Sequence, residues 1–195
     1  MRDPENIREV LELKPDYLGL IFYEKSPRFV REPIESANWP ESVKKVGVFV
    51  DPELTEVLQK VKSYGLDLVQ LHGDESIQLV QDLVNRGVQV MKVFRLSNTL
   101  PLGEMEPYAG LVSHFLFDTQ SLTYGGSGQK FDWTILKKYP FDVPFFLSGG
   151  IELSDIEEIK KLDIDQLQVI DVNSKFETAP AVKDVKKIEQ LKAIL

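Results

Sequence analysis

A chain of 195 residues, 43% of them hydrophobic, can bury one substantial core, and no Ser- or Pro-rich linker divides it, so one domain over residues 1–195 is expected. The net charge of −8 and pI near 4.9 leave no basic field to attract nucleic acid. No apolar run approaches the ~20 residues of a membrane span, and the opening MRDPENIREV lacks a signal peptide's apolar stretch, so a cytoplasmic location is expected. Without cysteine there are no disulfides or thiolate metal sites, and His72 and His114 are too far apart for zinc spacing.

Asp3-Pro4 predicts a capped helix over PENIREVLELK, ahead of any strand. Apolar runs rich in Val, Ile and Phe then recur at 17–22, 46–50, 68–71, 90–94, 115–117, 145–147 and 167–170, and read as seven buried strands. Between them lie helices with start signals: Asp51-Pro52 before ELTEVLQKVKSYG, Asp74-Glu75 before SIQLVQDLVNRG, and Ser154 before DIEEIKKL. Gly65 and Gly87 are the expected C-caps of the first two, and VKDVKKIEQLKAIL closes the chain as a helix. Alternating strands and helices imply parallel strands joined by right-handed crossovers, hence a doubly wound sheet or a (β/α)8 barrel. Eight helices against seven strands is the count of a TIM barrel that begins one strand late.

Three segments carry candidate chemistry. In FLFDTQSLTYGGSGQKFDW an apolar run ends in Asp118 and enters a Gly-rich loop; the acid is either catalytic beneath a loop hinged at Gly125, Gly126 and Gly128, or the cap of its own turn. LSGGI and VNSKFE would follow the seventh and eighth strands of a full barrel, where loops commonly bind phosphate. Gly149, Gly150, Asn173 and Ser174 are the phosphate candidates, against a plain tight turn at SGG. A lone Arg28 is more often a solvated charge. His72, at a strand end in QLHGDE, either lines the site or is a satisfied structural histidine, and His114 is expected to be structural.

DTxxxxYGGSGxxFDW closely resembles the signature of the phosphoribosylanthranilate isomerase family, and GLIFYEKSPRFV, KVGVFV, VQLHGDE, LSGGI and IDVNSKFE stand in that family's order from Gly19 to Glu177. The resemblance implies a TIM barrel, an Amadori rearrangement in tryptophan biosynthesis, a small phosphosugar substrate, no cofactor and no metal. It makes Asp118 the general acid and Arg28 the holder of the substrate's ring carboxylate, and it strengthens the phosphate-site reading. To serve, Asp118 must carry a proton near neutral pH, which apolar neighbours such as Phe115 and Phe117 or an anionic substrate would favour.

The family's K-x-C-G-[MI] motif, on an opening strand that leads into the first helix, is absent here up to its last position, which Met1 would fill. Its cysteine is the family's base. The expectation is a native N-terminus longer by one strand, or an N-terminally truncated barrel that binds phosphate with turnover near background. The alternatives are a non-catalytic phosphosugar-binding or interaction protein and a histidine-pathway ketol isomerase. The latter is weakened because the sequence offers no second carboxylate opposite Asp118 at a matching strand end. A monomer and a homodimer are both compatible. Ala179-Pro180-Ala181 departs from the family's usual glycine after the proline.

Overall fold

The computed structural model describes residues 1–31, 39–119 and 131–195. Seven parallel strands form one sheet in sequence order: β1 (Tyr17–Ile21), β2 (Lys44–Phe49), β3 (Leu68–Leu71), β4 (Val90–Leu96), β5 (His114–Thr119), β6 (Phe145–Leu147) and β7 (Leu167–Ile170). This order is what right-handed crossovers produce when each strand adds beside the last. The sheet curls into a half-barrel, with α1 (Pro4–Glu12), α2 (Leu54–Tyr64), α3 (Ile77–Val84), α4 (Leu102–Met105), α5 (Ile156–Lys160) and α6 (Val185–Ile194) among its connecting and flanking helices.

Two apolar clusters divide the sheet's faces. Val46, Leu68, Met91, Val93, Leu116 and Phe146 pack on the inner face, while the larger cluster between sheet and helices includes Phe49, Leu71, Phe115, Phe117 and Phe145. Because strand residues alternate faces, the central strands are apolar on both sides and read as continuous runs; all four residues of β3 are buried. β1 and β7 each pair with one strand of the sheet, and their residues alternate or are half-buried. Met1 packs beside β1, its amino nitrogen 2.7 Å from Gly19 O.

The seven expected strands form, with edges shifted by up to two residues. Of the eight expected helices, seven positions are helical among the described residues, one of them a 3-10 helix over Trp133–Lys138. The connection from β1 to β2 includes 32–38, outside those residues. Asp3 caps α1 as expected, accepting from Asn6 N at 2.8 Å, and Gly65 closes α2 at φ 60°.

Four terminus assignments need correction. Asp51 does not cap α2; Glu53 precedes it without a side-chain cap. Ser76, not Asp74-Glu75, caps α3 through Leu79 N. α3 ends at Asn85 in right-handed geometry, with Gly87 (φ 78°) two residues beyond. Ser154 lies within a 3-10 turn, Leu153–Asp155, ahead of α5, and the Asp155 carboxylate accepts from Glu152 N at 2.6 Å. A two-stranded hairpin, β8 (Glu177–Ala179) and β9 (Val182–Lys183), was not expected. Among the described residues no helix is long and apolar enough to cross a membrane.

Candidate active site at the strand ends

The hydrogen-bond ladder continues past the strand ends and fixes the residues that follow: His72 N donates to Phe49 O at 2.9 Å, Ser148 N to Phe117 O at 2.8 Å and Asp171 N to Leu147 O at 2.8 Å. These residues and Asp118 line one cavity of about 900 Å³. It also takes in Arg28, Gly149, Gly150, Asn173 and Ser174, so every sequence-predicted site residue lies on its wall.

Asp118 shares the inner face with Leu116. Phe115 and Phe117 point to the outer core, so the expectation that they surround the acid is wrong by one step of strand alternation. The acid's actual neighbours are polar. Oδ2 lies 3.3 Å from His72 Nε2, and Oδ1 accepts from Thr119 N at 2.8 Å. Gly149, at φ 99°, passes so close that a Cβ there would meet Thr119 N and Oγ1 and stand 2.8 Å from Asp118 Oδ1. Glycine is therefore required at 149 by both conformation and space. Gly150 is also left-handed, at φ 67°. The loop 120–130, with its expected glycine hinges, lies outside the described residues.

Asp171, just past the end of β7, is a second strand-end carboxylate on the cavity wall, beside rather than opposite Asp118. It lies two strands along the sheet, and the Ser148 hydroxyl donates to its Oδ2 at 3.0 Å. Burial pushes its carboxyl up from the ordinary range, against the pull of Ser148 and Lys183. The residue stands in the family-like run IDVNSKFE, but an acid at the end of a short half-polar strand gave no separate signal.

Arg28 is not a solvated charge. Its Nε lies 3.0 and 2.9 Å from the two carboxylate oxygens of Glu177, and Nη2 donates at 2.6 Å. Lys183 Nζ reaches Glu177 Oε1 at 3.3 Å and Asn173 Oδ1 at 2.7 Å, linking the guanidinium to the predicted phosphate loop. Burial works to raise the Glu177 carboxyl, but Arg28 and Lys183 outweigh it and hold it below the ordinary value. Lys183 is pulled down by burial, with Glu177 and Asp171 opposing. Glu177 and Lys183 went unrecognised because their partners are 149 and 6 residues away, across a hairpin that gives no periodic signal.

His114 is structural: Nδ1 lies 3.0 Å from Ser113 Oγ, the ring packs edge-on against Phe146, and burial lowers its pKa. Among the described residues no group of three or more His, Asp and Glu could hold a metal ion.

A curled parallel sheet with an acid, a guanidinium and a glycine-lined loop at its strand C-termini is the arrangement of a TIM-barrel enzyme. The family model for N-(5'phosphoribosyl)anthranilate (PRA) isomerase matches residues 1–193, and the chain belongs to that family. An N-(5'-phosphoribosyl)anthranilate isomerase from Parabacteroides distasonis is 42% identical over 193 residues, covering 97% of this chain and 87% of the relative. The crystal structure of phosphoribosyl anthranilate isomerase from Thermotoga maritima superposes with a TM-score of 0.82 at 31% identity, over 98% of this chain and 93% of that one. Another isomerase structure, in complex with reduced 1-(o-carboxyphenylamino)-1-deoxyribulose 5-phosphate, gives 0.80 at 28% identity over 98% and 93%.

Proposed function

We propose that this chain is an aldose–ketose isomerase that converts N-(5-phosphoribosyl)anthranilate into the open-chain carboxyphenylamino-deoxyribulose phosphate in tryptophan biosynthesis. The observation that carries the reading is that Asp118, Arg28 and the Gly149-Gly150 turn, each set at or beyond a strand's C-terminal end, line one cavity, which runs on between β1 and β7 to Tyr17 and Leu195. Gly149 and Gly150, with Asn173 and Ser174, hold the phosphate, their backbone N–H groups serving as donors to the anion. Arg28 takes the ring carboxylate. Its Nε and Nη2 are engaged by Glu177, while Nη1 makes no hydrogen bond among the described residues and remains for the substrate.

Asp118 donates a proton to the furanose ring oxygen as the C1–O bond breaks, giving an iminium. Loss of the C2 proton then gives an enolamine, which tautomerises to the ketose. The base in resembling enzymes is a cysteine; the 195 residues contain none, and the reading assigns the role to no side chain among them.

The test is a turnover assay following substrate loss, run on this chain and on a version with a family-type cysteine strand joined before Met1. Asp118→Asn in the active form should lower kcat by about 10²–10⁴. Full kcat in that variant would overturn the assignment of the acid.

A further inference from the structure

His72 is held on both ring nitrogens. Nε2 faces Asp118 Oδ2 at 3.3 Å, and Nδ1 faces Gln70 Nε2 at 3.1 Å. Gln70 stands two residues earlier on β3, so strand alternation puts its side chain on the same inner face, where it is 7% exposed. An amide nitrogen only donates and a carboxylate only accepts. With the Gln70 amide nitrogen toward the ring and Asp118 ionised, the pairing that satisfies both neighbours has the ring accept at Nδ1 and donate at Nε2. The backbone supports this aim from the far side, since Arg95 Nη2 donates to His72 O at 2.6 Å and His72 N donates to Phe49 O at 2.9 Å.

We propose that Gln70 is a positioning residue that sets His72 in the Nε2–H tautomer, so that His72 always presents a donor to the catalytic carboxyl of Asp118. This rests on Asp118 being the acid. Thr119 N–H anchors Oδ1, and an Nε2–H turned toward Oδ2 at 3.3 Å attracts the second oxygen, which favours the carboxyl's orientation into the cavity. The opposite tautomer would turn an acceptor lone pair toward Asp118. It would repel the ionised carboxylate, and it would take a hydrogen bond from the protonated acid in competition with the substrate's ring oxygen. A buried amide below the ring prevents that diversion.

The experiment is long-range ¹⁵N–¹H correlation of the two histidine rings in this chain, at a pH alkaline enough for each ring to carry one proton. His114→Gln assigns the signals. The expected result is an unprotonated Nδ1 and a protonated Nε2 for His72. A His72 ring protonated at Nδ1 overturns the proposal. Gln70→Met keeps the volume and removes the donor, and should give a mixture of tautomers; a ring still held wholly in the Nε2–H form would mean that Asp118 alone sets it, and would overturn the role of Gln70.

In a catalytically competent form, Gln70→Met should lower kcat on the order of 10-fold with KM within about twofold. Gln70→Glu, which accepts from Nδ1–H and so favours the opposite tautomer of the neutral ring, should not restore the loss, and full recovery of kcat counts against the mechanism. Because the ring spectra require no turnover, they decide the tautomer even if the isomerase reading fails.

Discussion

Replacing Glu177 by glutamine removes the negative charge that lies between Arg28, beyond β1, and Lys183, across the hairpin. Breaking a buried pair from one side costs about 3–5 kcal/mol; with Arg28 partly exposed, a loss near 3 is expected in denaturant unfolding. The pH dependence follows from the direction of the shift. A carboxyl held below 4.5 in the fold contributes stability that is fully present above 4.5 and is lost as pH falls through the lower folded value. Wild type should therefore lose stability over that acid interval more steeply than Glu177→Gln; parallel curves would contradict the account. At Gly149 a methyl group would displace Asp118 or Thr119, so Gly149→Ala should cut turnover at least 10-fold. Unchanged kcat would mean that the close approach is not needed.

Between elements, the buried pair Lys92–Glu75 fixes the turn that follows His72. Lys92 Nζ, on β4, donates to Glu75 Oε2 at 2.8 Å and to Gly73 O at 2.7 Å. Glu75 Oε1 accepts from Gly73 N at 2.8 Å and Asp51 N at 3.1 Å. Lys92→Met leaves a buried carboxylate with backbone donors but no cation, and should cost about 3–5 kcal/mol; adding Glu75→Gln should recover part of it. Strict additivity in that double variant would argue against a coupled pair. Asp74-Glu75 was misread as a helix cap because acids ahead of a helix usually serve there; Lys92, 17 residues on, claims Glu75 instead. Ala181 shows the reverse case. Its departure from the family's glycine was visible in the sequence, but only the φ of 72° says what it costs. A left-handed alanine is strained by about 1–2 kcal/mol, and its buried methyl returns roughly 0.8. Ala181→Gly should raise stability by under ~1 kcal/mol, and a clear loss would contradict that balance.

At the scale of the molecule, the strand order and the address of the site were legible because parallel strands buried on both faces leave unbroken apolar runs, and barrel chemistry collects at their C-terminal ends. Asp118, Arg28, His72 and the two loops could be found by motif. What surrounds them could not. Glu177 and Lys183 act through contacts set by hairpin geometry, Asp171 through the neighbouring strand's Ser148, and Gln70 through strand alternation beside His72, while Phe115 and Phe117 lie on the face opposite Asp118. The most direct measurement is a calorimetric titration of this chain with reduced 1-(o-carboxyphenylamino)-1-deoxyribulose 5-phosphate, beside the Arg28→Met variant. The account predicts one-to-one binding that weakens at least 10-fold on loss of the guanidinium. No binding to the wild-type chain, or equal affinity in the two proteins, would contradict it.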